Sequence, residues 1–311
     1  MRIILLGPQR RPTLDGAVRS LFPGPGGLAG PVATITAGWQ EREPDDAELS
    51  AYAGGHAVNL GLYRRWLDVQ DRDPEYSAGA RRLADVLAGL QEVYLLRLDY
   101  AMRAVYAVQR RSASALAAVD ALGEAVEAVR GLDEAHLHQV NGARREFFDR
   151  LAPHDRPVIA GHRAEVSAVL AGAPALVVAG GHVGVLAEVL HLFNVAAALN
   201  GAPVIAWSAG AMALTGRIVL FGDRSPRGPG HAEVYGSGLS LLRDVVLLPH
   251  ARSRLLLDDT ARMAVFARRF GPSRCVPLEA GTRIDVPADG AWPPGVRVLG
   301  EDGHVTAGEA A

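Results

Sequence analysis

The sequence predicts an α/β protein, with a parallel sheet flanked by helices and a large α-helical insertion. Short continuous apolar runs alternate with helical segments at both ends of the chain, which is typical of strands buried on both faces of a parallel sheet. Between about residues 42 and 152, glycine and proline become rare and apolar residues such as Leu83, Val86, Leu87 and Leu90 recur at helical spacing. We therefore expect one α/β domain over 1–311, interrupted at about 42–152.

The elements are predicted in order from these apolar runs and the turn residues between them. The predicted strands are 2–6, 32–36, 158–160, 175–179, 204–207, 217–222, 245–249, 274–277, 283–286 and 296–299. Outside the insertion, the predicted helices are 14–22, 163–170, 183–199 and 255–270. The insertion contains about four helices, for which Asp45 and Asp133 are candidate N-caps.

Composition excludes several classes of function. The 32 basic residues, all of them arginine, balance 34 acidic ones to a net charge of −2, so no nucleic-acid partner is expected. No apolar stretch approaches the ~20 residues of a membrane span, and the apolar start is too short for a signal peptide, so we expect a cytoplasmic protein with no membrane partner. The single cysteine, Cys275, excludes an intrachain disulfide and a multi-thiolate zinc site. No metal and no cofactor are expected.

The most informative stretch is 203–214, where an apolar strand runs directly into Ser208 and a helix starts among small residues. A nucleophile elbow has this construction, because the sharp turn lifts a hydroxyl above the sheet edge and small neighbours let the backbones approach. An ordinary turn with a serine N-cap explains the local pattern equally well.

A nucleophilic serine needs a base and an acid that orients the base. His250 follows the apolar run 245–249, and Asp223 follows the apolar run 217–222, so both are expected at strand ends. His250 could instead cap the next helix, and Asp223 could be a turn residue. Glu233 is the next acid to consider if Asp223 has no role.

Three blocks of the sequence resemble the S51 serine peptidases, the group that contains aspartyl dipeptidase and cyanophycinase. The stretch 207–211 (WSAGA) is similar to the family's G-x-S-A-G-A elbow. Gly180-Gly181-His182 resembles its G-G-N turn, and 249–255 (PHARSRL) resembles the cyanophycinase-type block around the catalytic histidine. The match departs from the pattern at Ala206, His182 and Val183, and the insertion has no counterpart in the compact members.

The resemblance implies a flavodoxin-like sheet of the class I glutamine amidotransferase-like type. It implies Ser208 as nucleophile, His250 as base and Asp223 as the third residue. It also implies further oxyanion-stabilising or substrate-binding residues, namely Gly180, Gly181, His182, Ala209 and Glu279, while Arg252 and Arg254 are candidates to meet a charged group of the substrate. Of these, Glu279 matches the family's D-E-x-T segment and is expected at the floor of the pocket.

Two hypotheses for function follow. In the first, the protein is a serine hydrolase that cleaves a small peptide or amide substrate without a cofactor. In the second, it is a catalytically inactive or differently specialised binding or scaffold protein. The insertion is expected either to cover the elbow as a lid or to form an oligomer interface, with a homodimer possible. Glu188 and His191, three residues apart on one predicted helix, are interpreted as a surface pair.

Overall fold

The structure, a computed structural model, describes residues 1–9, 14–21, 30–53, 55–111, 116–223 and 230–308. Its strands are β1 (Ile3–Leu6), β2 (Val32–Ile35), β3 (Ala57–Asn59), β4 (Leu176–Val178), β5 (Val204–Trp207), β6 (Ile218–Leu220), β7 (Glu233–Gly236), β8 (Val245–Pro249), β9 (Arg274–Leu278), β10 (Arg283–Val286), β11 (Arg297–Leu299) and β12 (Val305–Ala307). Its α-helices are α1 (Leu14–Leu21), α2 (Ala47–Tyr52), α3 (Leu62–Arg72), α4 (Pro74–Gln109), α5 (Leu116–Leu151), α6 (Pro157–Gly172), α7 (Val183–Leu192), α8 (Val195–Ala198), α9 (Ala209–Ala213), α10 (Ala251–Arg254) and α11 (Thr260–Phe270).

The central sheet has six strands in the order β10-β1-β5-β4-β2-β3, and all but the antiparallel edge strand β10 run parallel. Alternate residues of β1 enter different apolar cores, Ile3 and Leu5 on one face and Ile4 and Leu6 on the other. Both faces are therefore covered, which is why the strand reads as a continuous apolar run. The predicted parallel sheet flanked by helices is confirmed.

Two smaller sheets complete the strands of the described residues. Strands β12-β11-β9-β8 form a four-stranded sheet in which β8 and β9 are parallel, and β6 pairs with β7 as an antiparallel ribbon. The strand that precedes His250 therefore belongs to a second sheet rather than to the central one. Helix α9 packs against β8 and connects the two sheets.

The insertion is built around α4 and α5, each of 36 residues and thus about 54 Å long. The helices are antiparallel, since Tyr76 near the start of α4 contacts Phe147 near the end of α5. Helix α5 packs against β7 and α11, and α3 packs against α7. The predicted long helical insertion is confirmed.

Three local predictions are wrong. Residues 158–160 lie in the first turn of α6 rather than in a strand, because Pro157 starts the helix and Ile159 lies on the same buried face as Val166. The insertion also contributes a strand, β3, which extends the central sheet beside β2. Neither N-cap candidate is one, because Asp133 lies buried inside α5 and Asp46, not Asp45, precedes α2.

Within the described residues, no helix is both long enough and apolar enough to cross a bilayer.

Candidate active site

Ser208 occupies a strained turn between β5 and α9. Its backbone has φ 50° and ψ −124°, a conformation that residues with a side chain rarely adopt. Its side chain makes no capping hydrogen bond to α9, although Ser208 stands at the N-cap position. The alternative of an ordinary serine cap therefore does not describe this turn.

Small residues around Ser208 are required by close backbone contacts. A Cβ atom at Gly180 would lie 3.0 Å from the Cβ of Ser208. A Cβ atom at Gly210 would lie 2.5 Å from the carbonyl oxygens of Val178 and Ala179. The turn after β4 and the start of α9 are thus held against each other, with Ser208 between them.

The Gly180-Gly181-His182 turn lies beside Ser208 and is anchored by Gly38. Gly181 has φ 120°, and its position leaves no room for a side chain because a Cβ would lie 2.3 Å from the Gly38 oxygen. The His182 N–H donates to that same oxygen at 2.7 Å. The His182 ring caps α7, its Nδ1 accepting from the Val185 N–H at 3.2 Å. Sequence reasoning missed Gly38, which follows no distinctive motif.

Two backbone N–H groups beside Ser208 are available to a ligand. Among the residues that the structure describes, none accepts a hydrogen bond from the N–H of Gly181 or of Ala209. The Ala209 N–H opens α9, where the first amides have no acceptor within the helix. Donors in such positions can stabilise an oxyanion.

His250 follows β8 directly, with φ 58° and ψ 34°, and begins α10. Its N–H donates to the Leu278 oxygen at 3.1 Å, so the end of β8 is tied to the end of β9. His250 thus lies at the carboxyl end of a buried parallel strand, as expected.

Glu279 follows β9 and therefore lies next to the His250 turn. Its Oε1 accepts a hydrogen bond from the Arg252 N–H at 2.7 Å, which fixes the first turn of α10. Among the described residues, no donor contacts its second oxygen, Oε2.

Gly7 connects the Glu279 segment to the serine turn. A Cβ at Gly7 would lie 1.7 Å from the Glu279 carbonyl oxygen, and the Gly7 N–H donates to the Thr282 oxygen at 2.8 Å. In the sheet, Leu6 pairs with Trp207, so Gly7 and Ser208 follow paired residues on strands that neighbour each other about 4.8 Å apart. Gly7 therefore contacts the Glu279 segment and directly follows the strand that pairs with the one before Ser208. In the sequence, the only sign of this close contact is that a glycine, Gly7, directly follows the first apolar strand.

The carboxylate of Asp223 is committed to other partners. It forms an ion pair with Arg262 at 2.5 Å and accepts from the Leu256 N–H at 3.2 Å. The Asp223 N–H donates to the Arg254 oxygen at 2.7 Å. Asp223 is therefore buried at the C-terminal end of α10, while His250 lies at its N-terminal end.

The other predicted residues lie around this edge in different settings. Glu233 lies on β7, where its Oε2 accepts from Gln91 Nε2 at 2.9 Å. The Arg254 guanidinium stands over the ring of Phe221 at 5.9 Å. Exposed Arg252 and Glu279 both line a cavity of about 700 Å³.

A separate cavity of about 440 Å³ reaches the serine turn through Gly181 and Trp207. Part of its wall comes from the first segment of the insertion, including Arg42, Asp45 and Glu48. Residues of the insertion therefore share a cavity with Trp207, the residue before Ser208. The charged wall suits a polar ligand.

Comparison with known proteins adds little. No protein-family model matches the sequence, and no curated protein matches it either. A solved structure, the crystal structure of a peptidase from an acI-B1 Actinobacterium, is similar at 14% identity and a TM-score of 0.47, with 100% of this chain and 96% of that chain covered. Similarity at this level identifies neither a family nor an activity.

Proposed function

We propose that the protein is a serine hydrolase that cleaves a small peptide or amide bond, with Ser208 as nucleophile and His250 as general base. The observation that carries the proposal is the strained backbone of Ser208, whose side chain makes no helix-capping bond. Strain of about 1–3 kcal/mol persists only where the surroundings enforce it, and it is concentrated at functional sites. The resemblance of the serine, glycine and histidine blocks to S51 peptidases supports the same chemistry.

In the proposed mechanism, the Ser208 Oγ attacks the substrate carbonyl carbon while His250 accepts its proton. The N–H groups of Gly181 and Ala209 stabilise the tetrahedral oxyanion. His250 then protonates the leaving amine, and a water molecule hydrolyses the acyl-enzyme by the same steps in reverse. The cavity beside Trp207 and Gly181 is the binding place proposed for the substrate, since about 440 Å³ suits a small molecule.

Glu279 is the better candidate for the acid that orients His250. It neighbours the His250 turn, and its Oε2 has no donor among the described residues. The carboxylate of Asp223 neutralises Arg262, and that of Glu233 accepts from Gln91. Asp223, implied by the resemblance, is the alternative.

Reaction with a fluorophosphonate probe tests the nucleophile. The probe phosphorus forms a bond to an activated serine oxygen and loses fluoride. Wild-type protein should be labelled and Ser208→Ala should not. Ser237→Ala is the matched control and should be labelled normally, because its hydroxyl is bonded to Asn141 in another part of the molecule. Labelling that persists in Ser208→Ala would remove the assignment, and an unreactive wild type would favour the binding-protein hypothesis.

A further inference from the structure

A cavity of about 380 Å³ lies between the insertion and the central domain, on the far side of the Gly181-His182 turn from the Trp207 cavity. Helices α4 and α5 supply most of the apolar wall and also Arg144, and α7 with β7 supplies other polar groups. The apolar lining includes Leu83, Ala84, Leu87, Val140, Phe147 and Phe148. The polar lining includes Arg144, Glu188, His191 and Tyr235. Glu188 and His191 are therefore not the surface pair that the sequence suggested.

Arg144 is an unpartnered cation in this wall. Its Nε is buried and makes no hydrogen bond. Among the described residues, no carboxylate lies within the 4.0 Å of an ion pair with its guanidinium. The nearest acid in the lining, Glu188, accepts from Trp66 Nε1 at 2.9 Å instead. The accessible part of this guanidinium is its terminal nitrogens, and because no counter-charge faces them, the position favours an anionic ligand.

Tyr235, which also lines the cavity, offers a second donor. A Cβ at Gly184 would lie 2.4 Å from the Tyr235 hydroxyl, so only glycine lets the hydroxyl approach α7. That hydroxyl donates to none of the described residues.

We propose that this cavity binds a small carboxylate with an unbranched apolar tail, such as a medium-chain fatty acid. The carboxylate accepts from the terminal guanidinium nitrogens of Arg144 and from the Tyr235 hydroxyl. The tail lies against Leu83, Leu87 and Phe147. The volume falls within the ~300–1,000 Å³ of small-molecule sites. Binding does not depend on Ser208.

Calorimetric titration with octanoate and with octan-1-ol tests the proposal. The two ligands share a tail and differ in charge. Wild type should bind octanoate more tightly than octanol. Arg144→Gln should weaken octanoate by about tenfold or more, because the charged hydrogen bonds are lost, and leave octanol unchanged. The matched control is Arg145→Gln, the exposed neighbour on the same helix, which should bind both ligands like wild type.

A second variant covers the case in which Arg144→Gln does not fold. Ala84→Leu adds bulk on the cavity wall and should weaken both ligands. The proposal is overturned if wild type does not bind octanoate, if octanol binds equally well, if Arg144→Gln binds octanoate like wild type, or if Ala84→Leu binds both ligands unchanged.

Discussion

At the residue scale, Ser208 and His250 follow strands of two different sheets, and the Asp223 carboxylate pairs with Arg262. Strand ends are visible in an apolar run, so the turns at Ser208 and His250 could be predicted. The partner of a carboxylate is decided by the packing of distant segments. Asp223 meets Arg262, which is 39 residues away, and only the structure reveals that pair.

If Ser208 and His250 act as one unit, the rate reductions caused by replacing each of them should not combine in the double variant. Ser208→Ala and His250→Asn should each lower the rate of amide hydrolysis by about 10³–10⁶-fold, and the double variant should be no slower than the worse single one. Steady-state kinetics of the three proteins measures this. Multiplicative losses would instead mean that His250 acts only through structure.

The labelling rate and the free energy of unfolding should distinguish the two candidate acids, Glu279 and Asp223. Glu279→Gln should slow fluorophosphonate labelling by about 10²-fold or more, because an unoriented base is a poor one, while stability changes little. Asp223→Asn should leave the labelling rate largely unchanged and lower the free energy of unfolding by about 1–3 kcal/mol, because Arg262 loses a charged partner. The reverse pattern would assign the role to Asp223.

At the element scale, a buried polar network attaches the insertion to the central domain. Arg269 of α11 donates to both oxygens of Asp133 in α5 at 2.7 Å, and also to the Tyr94 hydroxyl of α4 at 3.0 Å. Tyr94 in turn accepts from the Val234 N–H of β7 at 3.0 Å. Four elements therefore meet on these side chains, which are 1–3% exposed.

Removing one charge from this network should be costly. Asp133→Asn should lower the free energy of unfolding by about 3–5 kcal/mol, since Arg269 would remain buried without a counter-charge. Urea unfolding followed by circular dichroism measures the loss. The neighbouring exposed residue provides the control, and Glu134→Gln should be near neutral. A small effect of Asp133→Asn would mean that packing alone holds the insertion in place.

The wrong predictions of helix and strand boundaries come from short local patterns. Asp133 resembles an N-cap because a polar residue precedes an apolar repeat, but one continuous 36-residue helix passes through it. Residues 158–160 and β3 are runs of three, too short for periodicity to distinguish a strand from a helical turn. Long amphipathic helices and longer buried strands contain enough residues for their periodicity to be recognised, so they could be predicted.

At the scale of the whole molecule, the insertion packs against the central domain and lines two cavities with it. Its first segment lines the cavity beside Trp207, and its long helices line the cavity beside His182. The helical pattern predicted that the block exists and that its apolar faces need partners. It could not predict which faces meet the domain, because that depends on side chains far apart in sequence.

Three buried histidines should make stability depend on pH. Burial lowers the pKa of His136, His191 and His231 below the ordinary 6.5. Below that pH the unfolded chain binds protons that the folded protein resists, so the free energy of unfolding should fall as the pH drops from about 7.5 to about 5.5. Carboxylates contribute little in this window, because those with shifted values, such as Asp73 and Asp285, have pKa values lowered from 3.8.

Urea unfolding at the two pH values checks this expectation. His136→Gln should reduce the difference in the free energy of unfolding between them, since an amide keeps a polar contact to Gln91 but does not titrate. The control is His138→Gln, two residues along the same helix and exposed, which should leave the difference unchanged. Because each buried ring contributes separately, the loss should become smaller still when His191 and His231 are also replaced. Equal stability of the wild type at both pH values would contradict this expectation. It would mean that these rings accept protons as readily in the folded protein as in the unfolded chain.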